Sequence, residues 1–418
     1  MEFDKIWIKQ WIDKINTDAG AKISGASFND SCSFQFDDKK YCFVIRNGAV
    51  EELIENPGTL IESTFTLSAS KEVWTELFSP NPSAMNHDIF AAIAMENMTF
   101  EGNVKLLFQQ LITLSHWISA GRSIQGESIL APEPEFYDDW QSVGRYVNVE
   151  VNGKRHKVFY FEAGQGVPVI CQHTAGNENR QWRHLLEDRE LTKKFKFIAY
   201  DLPAHGKSDP SVDGDFFSQE QLLRSDWVTD FVVAFMKKLR LEKPIFIGCS
   251  IGGVVALHLA ERHPDLFKGL ISLAASVPTY GFFHDWWIHP EVNTNLMVTP
   301  GLMDSVMPPD ISKSDRQINR IIQSASPKTL RSDLYFWGEE NSDAERAKRI
   351  DGKKCPLYMY AGEYDFTCPP EHVEKSARSI GNVTYKTLGG LGHFPMSESY
   401  DRFRPILIET LDEILRRS

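Results

Sequence analysis

Ile6, Ile8, Trp11, Ile12 and Ile15 recur at roughly helical spacing and predict a helix over residues 1–18. The period then changes. Ser33-Phe34-Gln35-Phe36 and Tyr41-Cys42-Phe43-Val44-Ile45 alternate as strands around the turn Asp37-Asp38-Lys39-Lys40, and Thr64-Phe65-Thr66-Leu67 is a third alternating run. Ser70 caps a helix that places Val73, Trp74 and Leu77 on one face. A short apolar helix follows from Phe90 to Ala94, then a strand at Thr99-Phe100-Glu101-Gly102 and an apolar helix from Val104 to Ile118. This order predicts a small α+β domain over residues 1–120.

Residues 121–140 hold glycine, two prolines and several acids without periodicity, and read as a linker. From residue 141 to 418 the pattern is different. Arg145–Val151 and His156–Phe161 form a hairpin about Asn152-Gly153. Buried strands at Val167–Gln172, Lys196–Tyr200, Pro244–Ile247, Gly269–Ala274 and Leu357–Ala361, and a last strand at Val383–Leu388, alternate with helical stretches such as Asp226–Leu241 and Gly253–Arg262. Strand alternating with helix predicts an α/β domain: a mostly parallel sheet with helices on both faces. About residues 277–349 interrupt this alternation as a long insertion.

The length of 418 residues agrees with two domains, and 42% apolar with 24% charged residues is a globular balance. No run approaches the roughly 18–20 apolar residues of a membrane helix, and the charged N-terminus has no signal-peptide pattern. Residues 1–120 hold 9 Lys/Arg against 16 Asp/Glu, and the remainder 36 against 41. An acidic chain without a basic cluster argues against nucleic acid and anionic membranes as partners. None of the six cysteines has zinc-like or redox-motif spacing. All six are expected to be reduced thiols in a cytoplasmic protein.

The sharpest chemical signal is Gly248-Cys249-Ser250-Ile251-Gly252, a G-x-S-x-G between a predicted strand and helix. A tight turn there lifts the serine hydroxyl clear of the sheet, and the helix N-terminus behind it favours developing negative charge. Serine needs a base to take its proton and an acid to orient that base. Asp365 follows one strand in Gly362-Glu363-Tyr364-Asp365, and His393 follows the last in Gly389-Gly390-Leu391-Gly392-His393. Each is at the carboxyl end of its strand, in the order Ser, Asp, His. Glu363 is the rival acid. His173-Thr174-Ala175-Gly176 stands where an oxyanion loop would lie. Its N–H, from Ala175 or alternatively Thr174, would act with that of Ile251; His173 itself reads as a structural histidine.

These segments, with Asp201-Leu202-Pro203-Ala204-His205-Gly206-Lys207-Ser208, resemble the α/β-hydrolase superfamily over about residues 140–418. His-Thr replaces its usual His-Gly. Closer up, H-T-A-G, R-Q-W-R, G-C-S-I-G-G, G-E-Y-D and G-H-F-P-M-S-E look like a bacterial, esterase-like subgroup. The resemblance implies an α/β-hydrolase fold, a helical cap in the insertion, a Ser250–His393–Asp365 triad, and a structural D-x-P-x-H-G-x-S turn. The insertion is rich in bulky apolar side chains, among them Phe282, Phe283, Trp286, Trp287, Met297, Met303, Met307 and Trp337. Trp286, Trp287 and Arg180 are candidate substrate contacts. The expected substrate is a small ester or lactone with a hydrophobic component, and the chemistry calls for no metal or organic cofactor. Lactone opening and carbon–carbon bond hydrolysis use the same triad and stay open.

Thr66-Leu67-Ser68, the helix around Trp74, and Asp88–Ile93 leading into Phe100–Leu106 resemble the sterol-carrier-protein-2 (SCP2) domain over about residues 20–118. That implies a lipid-like ligand; the alternative for this domain is a subunit contact in a homo-oligomer. A lipid carrier with a vestigial hydrolase is the rival reading of the whole chain, and the intact triad opposes it.

Overall fold

The computed structural model describes residues 1–58, 61–135, 137–292, 298–323 and 329–417. They form two compact units: Met1–Pro132 with His289–Lys313, and Glu133–Ile288 with Ser314–Ser418.

The first unit has a five-stranded sheet of β1 (Ser31–Phe36), β2 (Lys39–Arg46), β3 (Ala49–Glu55), β4 (Phe65–Ala69) and β5 (Met98–Gly102), in the order β3-β2-β1-β4-β5. β4 lies parallel to β1 and the other pairs are antiparallel. The opening helix runs Lys5–Thr17, capped by the Asp4 carboxylate on the N–H groups of Ile6 and Trp7. Its buried Trp7 and Trp11 join Phe34, Phe43, Trp74, Phe78 and Trp117 in a cluster of packed rings, with Trp11–Phe34 centroids 5.0 Å apart and Trp74–Phe78 5.7 Å apart. The expected Val104–Ile118 helix is two, Val104–Gln109 and Leu111–Gln125; the second extends into the stretch expected to be a linker. Part of the insertion also belongs to this unit. Its helix Thr299–Ser305 brings Gly301 so close to Leu111 that a Cβ there would lie 2.7 Å from Leu111 Cβ. His87 Nε2 bonds the Ser305 carbonyl at 2.8 Å, and Gln109 Nε2 donates to the Glu291 carbonyl at 2.7 Å.

The second unit is built on eight strands: β6 (Val143–Val151), β7 (Lys154–Gly164), β8 (Val167–Gln172), β9 (Phe195–Tyr200), β10 (Ile245–Cys249), β11 (Gly269–Leu273), β12 (Leu357–Gly362) and β13 (Val383–Leu388). Their order is β13-β12-β11-β10-β8-β9-β7-β6, parallel from β13 through β9, with β7 antiparallel to both β9 and β6. The central strands β10 and β11 are buried along their whole length because both faces are covered. Phe231, Val232 and Phe235 of the helix Ser225–Lys238 and Val254, Val255 and Leu257 of the helix Ile251–Arg262 pack on Phe246 and Leu270. On the opposite face, Ile414 of the helix Tyr400–Arg417 fills the space at Gly269, and Thr410 bonds Tyr360 at 2.7 Å. Each such buried apolar side chain contributes about 1.5–3 kcal/mol. A rigid sheet results, and its carboxyl edge carries the turns that follow β8, β9, β10, β12 and β13. Among the described residues, no helix is long and apolar enough to cross a membrane.

Candidate active site

Ser250 stands between β10 and the helix Ile251–Arg262 with φ 57° and ψ −117°, a left-handed conformation that costs a non-glycine residue about 1–3 kcal/mol. The surrounding structure holds it there. Its N–H donates to the Leu273 carbonyl at 2.9 Å, and its own carbonyl accepts from Val254 at 2.9 Å. The flanking glycines permit the bend: a Cβ on Gly252 would lie 2.8 Å from the Gln172 carbonyl oxygen. Ile251 is the first residue of the helix, so its N–H has no intrahelical acceptor.

Asp365 and His393 are brought together. His393 Nδ1 lies 2.6 Å from Asp365 Oδ2, with both side chains buried. The other carboxylate oxygen is saturated: Oδ1 accepts from the Thr367 N–H at 2.9 Å, the Thr367 hydroxyl at 2.6 Å and the Cys368 N–H at 3.1 Å. Oδ2 is thereby directed at the imidazole, which places the ring proton on Nδ1 and leaves Nε2 as the basic nitrogen. The residue before Ser250 touches the histidine loop: the Cys249 thiol donates to the His393 carbonyl at 2.9 Å. Glu363 is engaged elsewhere. Its Oε2 accepts from the Gly390 N–H at 2.7 Å and shapes the histidine loop.

Glu398 closes that loop from below. Its two carboxyl oxygens accept the N–H groups of Gly392 and Phe394, which flank His393. Burial, with the nearby Asp365 charge, pushes its pKa up to about 8 against the effect of those donors.

The loop after β8 can be followed one N–H at a time. Thr174 N–H donates to Gln181 Oε1 at 2.8 Å, so it is already engaged. Gly176 N–H donates to Asp333 Oδ2 at 2.7 Å, Asn177 N–H to the Thr174 carbonyl at 3.3 Å, and Glu178 N–H to Asn177 Oδ1 at 2.9 Å. Between Thr174 and Glu178, Ala175 N–H alone has no acceptor among the described residues. His173 accepts the Leu202 N–H on Nε2 at 3.1 Å and donates from Nδ1 to the Thr174 carbonyl at 2.8 Å. Burial lowers its pKa to about 3, so it is a neutral brace for the loop.

The turn after β9 is also a brace. Asp201 accepts the N–H groups of Asn179 and Lys207 at 2.7 and 2.9 Å, and Ser208 Oγ donates to the Asp201 carbonyl at 2.8 Å. Its His205 bonds Asp333 Oδ2 through Nε2 at 2.9 Å and the Pro203 carbonyl through Nδ1 at 3.0 Å. Burial alone would lower the His205 pKa, but Asp333 outweighs it and the pKa is raised.

The candidate substrate contacts are placed elsewhere in the pattern of bonds. Arg180 is ion-paired with Glu178. Trp287 is buried and donates from Nε1 to the Phe282 carbonyl at 2.6 Å, which ties the insertion to itself. The Trp286 side chain and Met297 lie outside the described residues. All six cysteines are free thiols and buried. Sequence reasoning missed Gln181, Thr367, Asp333 and Glu398 as braces. Gln181 and Glu398 act from short helical turns, Asp333 from the insertion and Thr367 from a loop, where no periodic pattern marks them.

The alpha/beta hydrolase fold family matches the chain over residues 167–400. The AB hydrolase superfamily protein YisY of Bacillus subtilis is 30% identical over 283 residues, 64% of this chain and 98% of that protein. The pimeloyl-[acyl-carrier protein] methyl ester esterase of Chromobacterium violaceum is 23% identical over 269 residues, 61% of this chain and 98% of that protein. Among solved structures, a thermophilic esterase from Thermogutta terrifontis superposes with a TM-score of 0.54 at 19% identity, covering 65% of this chain and 99% of that one.

Proposed function

The chain belongs to the alpha/beta hydrolase fold family, and from that premise we propose that it is a serine hydrolase of carboxylic esters with a hydrophobic component. The observation that carries this reading is the 2.6 Å pairing of His393 Nδ1 with Asp365 Oδ2, next to a Ser250 held at φ 57°. His393 Nε2 takes the Ser250 proton as Oγ attacks the ester carbonyl. The N–H groups of Ile251 and Ala175 hold the oxyanion, because neither has another acceptor among the described residues. His393 then gives its proton to the leaving alkoxide, and water, deprotonated by His393 in turn, clears the acyl-enzyme. Asp365 orients the imidazole and stabilises its protonated form.

Support for an ester comes from the esterase names of the relatives, and support for a hydrophobic component from the aromatic insertion. Lactone opening follows from the same steps on a cyclic ester. Carbon–carbon bond hydrolysis is the alternative for which Arg180 and Asn177 could receive an acidic substrate; the aromatic insertion argues for a less polar one, and Arg180 is paired with Glu178. The N-terminal unit keeps its SCP2-like reading on the order of its elements, with a lipid-like ligand or a homo-oligomer contact as its two candidate roles. The setting we assign is cytoplasmic. A screen of p-nitrophenyl esters, lactones and dienoic ketones against the wild type and Ser250→Ala tests the reading. Ester turnover that vanishes in the variant supports it, and turnover equal in both rejects it.

A further inference from the structure

Asp315, Asn319 and Gln323 recur every fourth residue along the helix Lys313–Ile322 and its last turn, and all three are buried. Such a stripe on a surface helix is ordinarily apolar. Here it is polar, and each member grips a different part of the site. Asp315 pairs with the Arg183 guanidinium and with His184 Nε2, and Arg183 donates onward to the Ser397 carbonyl at 2.9 Å. Asn319 Nδ2 donates to the same carbonyl at 3.1 Å, while the Ser397 hydroxyl donates to Asn319 Oδ1 at 2.7 Å. Gln323 Nε2 donates to the Ala175 carbonyl at 2.6 Å, and its Oε1 accepts from Asn177 Nδ2 at 2.5 Å.

Asn319 and Gln323 hold different loops. Ser397 belongs to the turn that Glu398 ties to both sides of His393. Ala175 belongs to the loop with the unengaged N–H. The peptide between Ala175 and Gly176 is held at both ends, its oxygen by Gln323 and its N–H by Asp333. Rotation of that plane is opposed at both ends, and the adjoining plane, which carries the Ala175 N–H, is held at its Thr174 carbonyl by His173 Nδ1 and the Asn177 N–H. Buried polar groups persist only when paired, so the Asn319 bonds resist separation of the helix from the Ser397 turn and the Gln323 bonds its separation from the loop after β8.

We propose that this helix of the insertion is a positioning strut. Asn319 sets the histidine loop, Gln323 sets the oxyanion loop, and the fixed helical rise between them sets the distance from one to the other. The insertion therefore completes the site. This rests on the serine-hydrolase reading above, and Asn319 and Gln323 are positioning residues that touch no reacting atom.

The test is steady-state kinetics on a p-nitrophenyl ester with Gln323→Ala, Gln323→Glu, Asn319→Ala, Ser397→Ala and the Asn319→Ala/Ser397→Ala double variant. Gln317→Ala, on the exposed face of the same helix, and Ser250→Ala are the controls. Gln323→Ala should lower kcat about tenfold or more with KM nearly unchanged, a fraction of the loss seen when an oxyanion donor itself is removed. Gln323→Glu puts a carboxylate oxygen against the Ala175 carbonyl, and protonation restores a donor. Its kcat relative to wild type should therefore rise as pH falls from about 8 to about 5. A packing role would leave that ratio flat, and the ratio decides even if Gln323→Ala fails to fold. Losses at Asn319 and Ser397 should be non-additive. Wild-type kcat in Gln323→Ala, a flat Gln323→Glu ratio, or additive losses would overturn the strut. If Ser250→Ala is inactive while these variants match wild type, only the strut fails. If Ser250→Ala stays active, the fault lies in the assignment of the site.

Discussion

Gly248 faces Gly252 across the elbow so closely that a Cβ on Gly248 would lie 2.2 Å from the Gly252 carbonyl oxygen. The obstacle is backbone, which cannot swing aside as a flexible side chain would. Gly248→Ala should therefore cost about 1–3 kcal/mol or more in stability and displace Ser250. Thermal denaturation and ester turnover should both fall; a variant with wild-type melting and activity would contradict the tight elbow.

Asp365 and Glu363 lie two residues apart but have different partners, His393 Nδ1 and the Gly390 N–H. Asp365→Asn should lower kcat by about 10⁴ by leaving the imidazole in the wrong tautomer. Glu363→Gln keeps an oxygen for Gly390 and should cost far less. Comparing kcat for the two variants checks this, and a reversed order would name Glu363 as the acid.

Glu398 sets a pH dependence of stability. Its folded pKa is raised from 4.5 to about 8. Between those values the folded protein holds a proton that the unfolded chain has released, so its contribution to stability falls as pH rises through that window. Glu398→Gln lacks this titration. The stability of wild type relative to Glu398→Gln, from urea denaturation, should decline from about pH 5 to about pH 8. A pH-independent difference would show that burial does not shift this carboxyl.

Removal of residues 1–132 takes away Leu111 and His87, which meet Gly301 and Ser305 of the buried helix Thr299–Ser305. A fragment of residues 133–418 should expose that face, bind the dye ANS and lose solubility. A well-behaved, ANS-negative fragment would show that the segment needs no such cover.

Much of this was legible from local pattern. The central strands of the large sheet, such as β10 and β12, are continuous apolar runs, and Ser250 and Asp365 each follow one; His393 follows the more polar edge strand β13. β3 was not legible, because Glu51, Glu52 and Glu55 interrupt its alternation on what is the edge of the small sheet. The braces were not legible either. Gln323 and Asp333 meet their loop partners across 146 and 157 residues of sequence, and a buried polar stripe reads as a solvated helix face. The insertion's aromatic residues drew attention to a roof over the site, whereas Trp287 is bonded to the insertion's own backbone. Assignment of the segment His289–Lys313 to the first unit depends on tertiary contacts that no periodicity announces.

Ser250 as the nucleophile is the claim on which everything else depends, and one measurement reaches it without knowledge of the substrate. The full chain is treated with a serine-directed fluorophosphonate and the modified peptide is identified by mass spectrometry, with Ser250→Ala and His393→Ala alongside. The account predicts one adduct, on Ser250, absent from Ser250→Ala and slowed by orders of magnitude in His393→Ala. An adduct on another residue, or labelling that persists in Ser250→Ala, would contradict it.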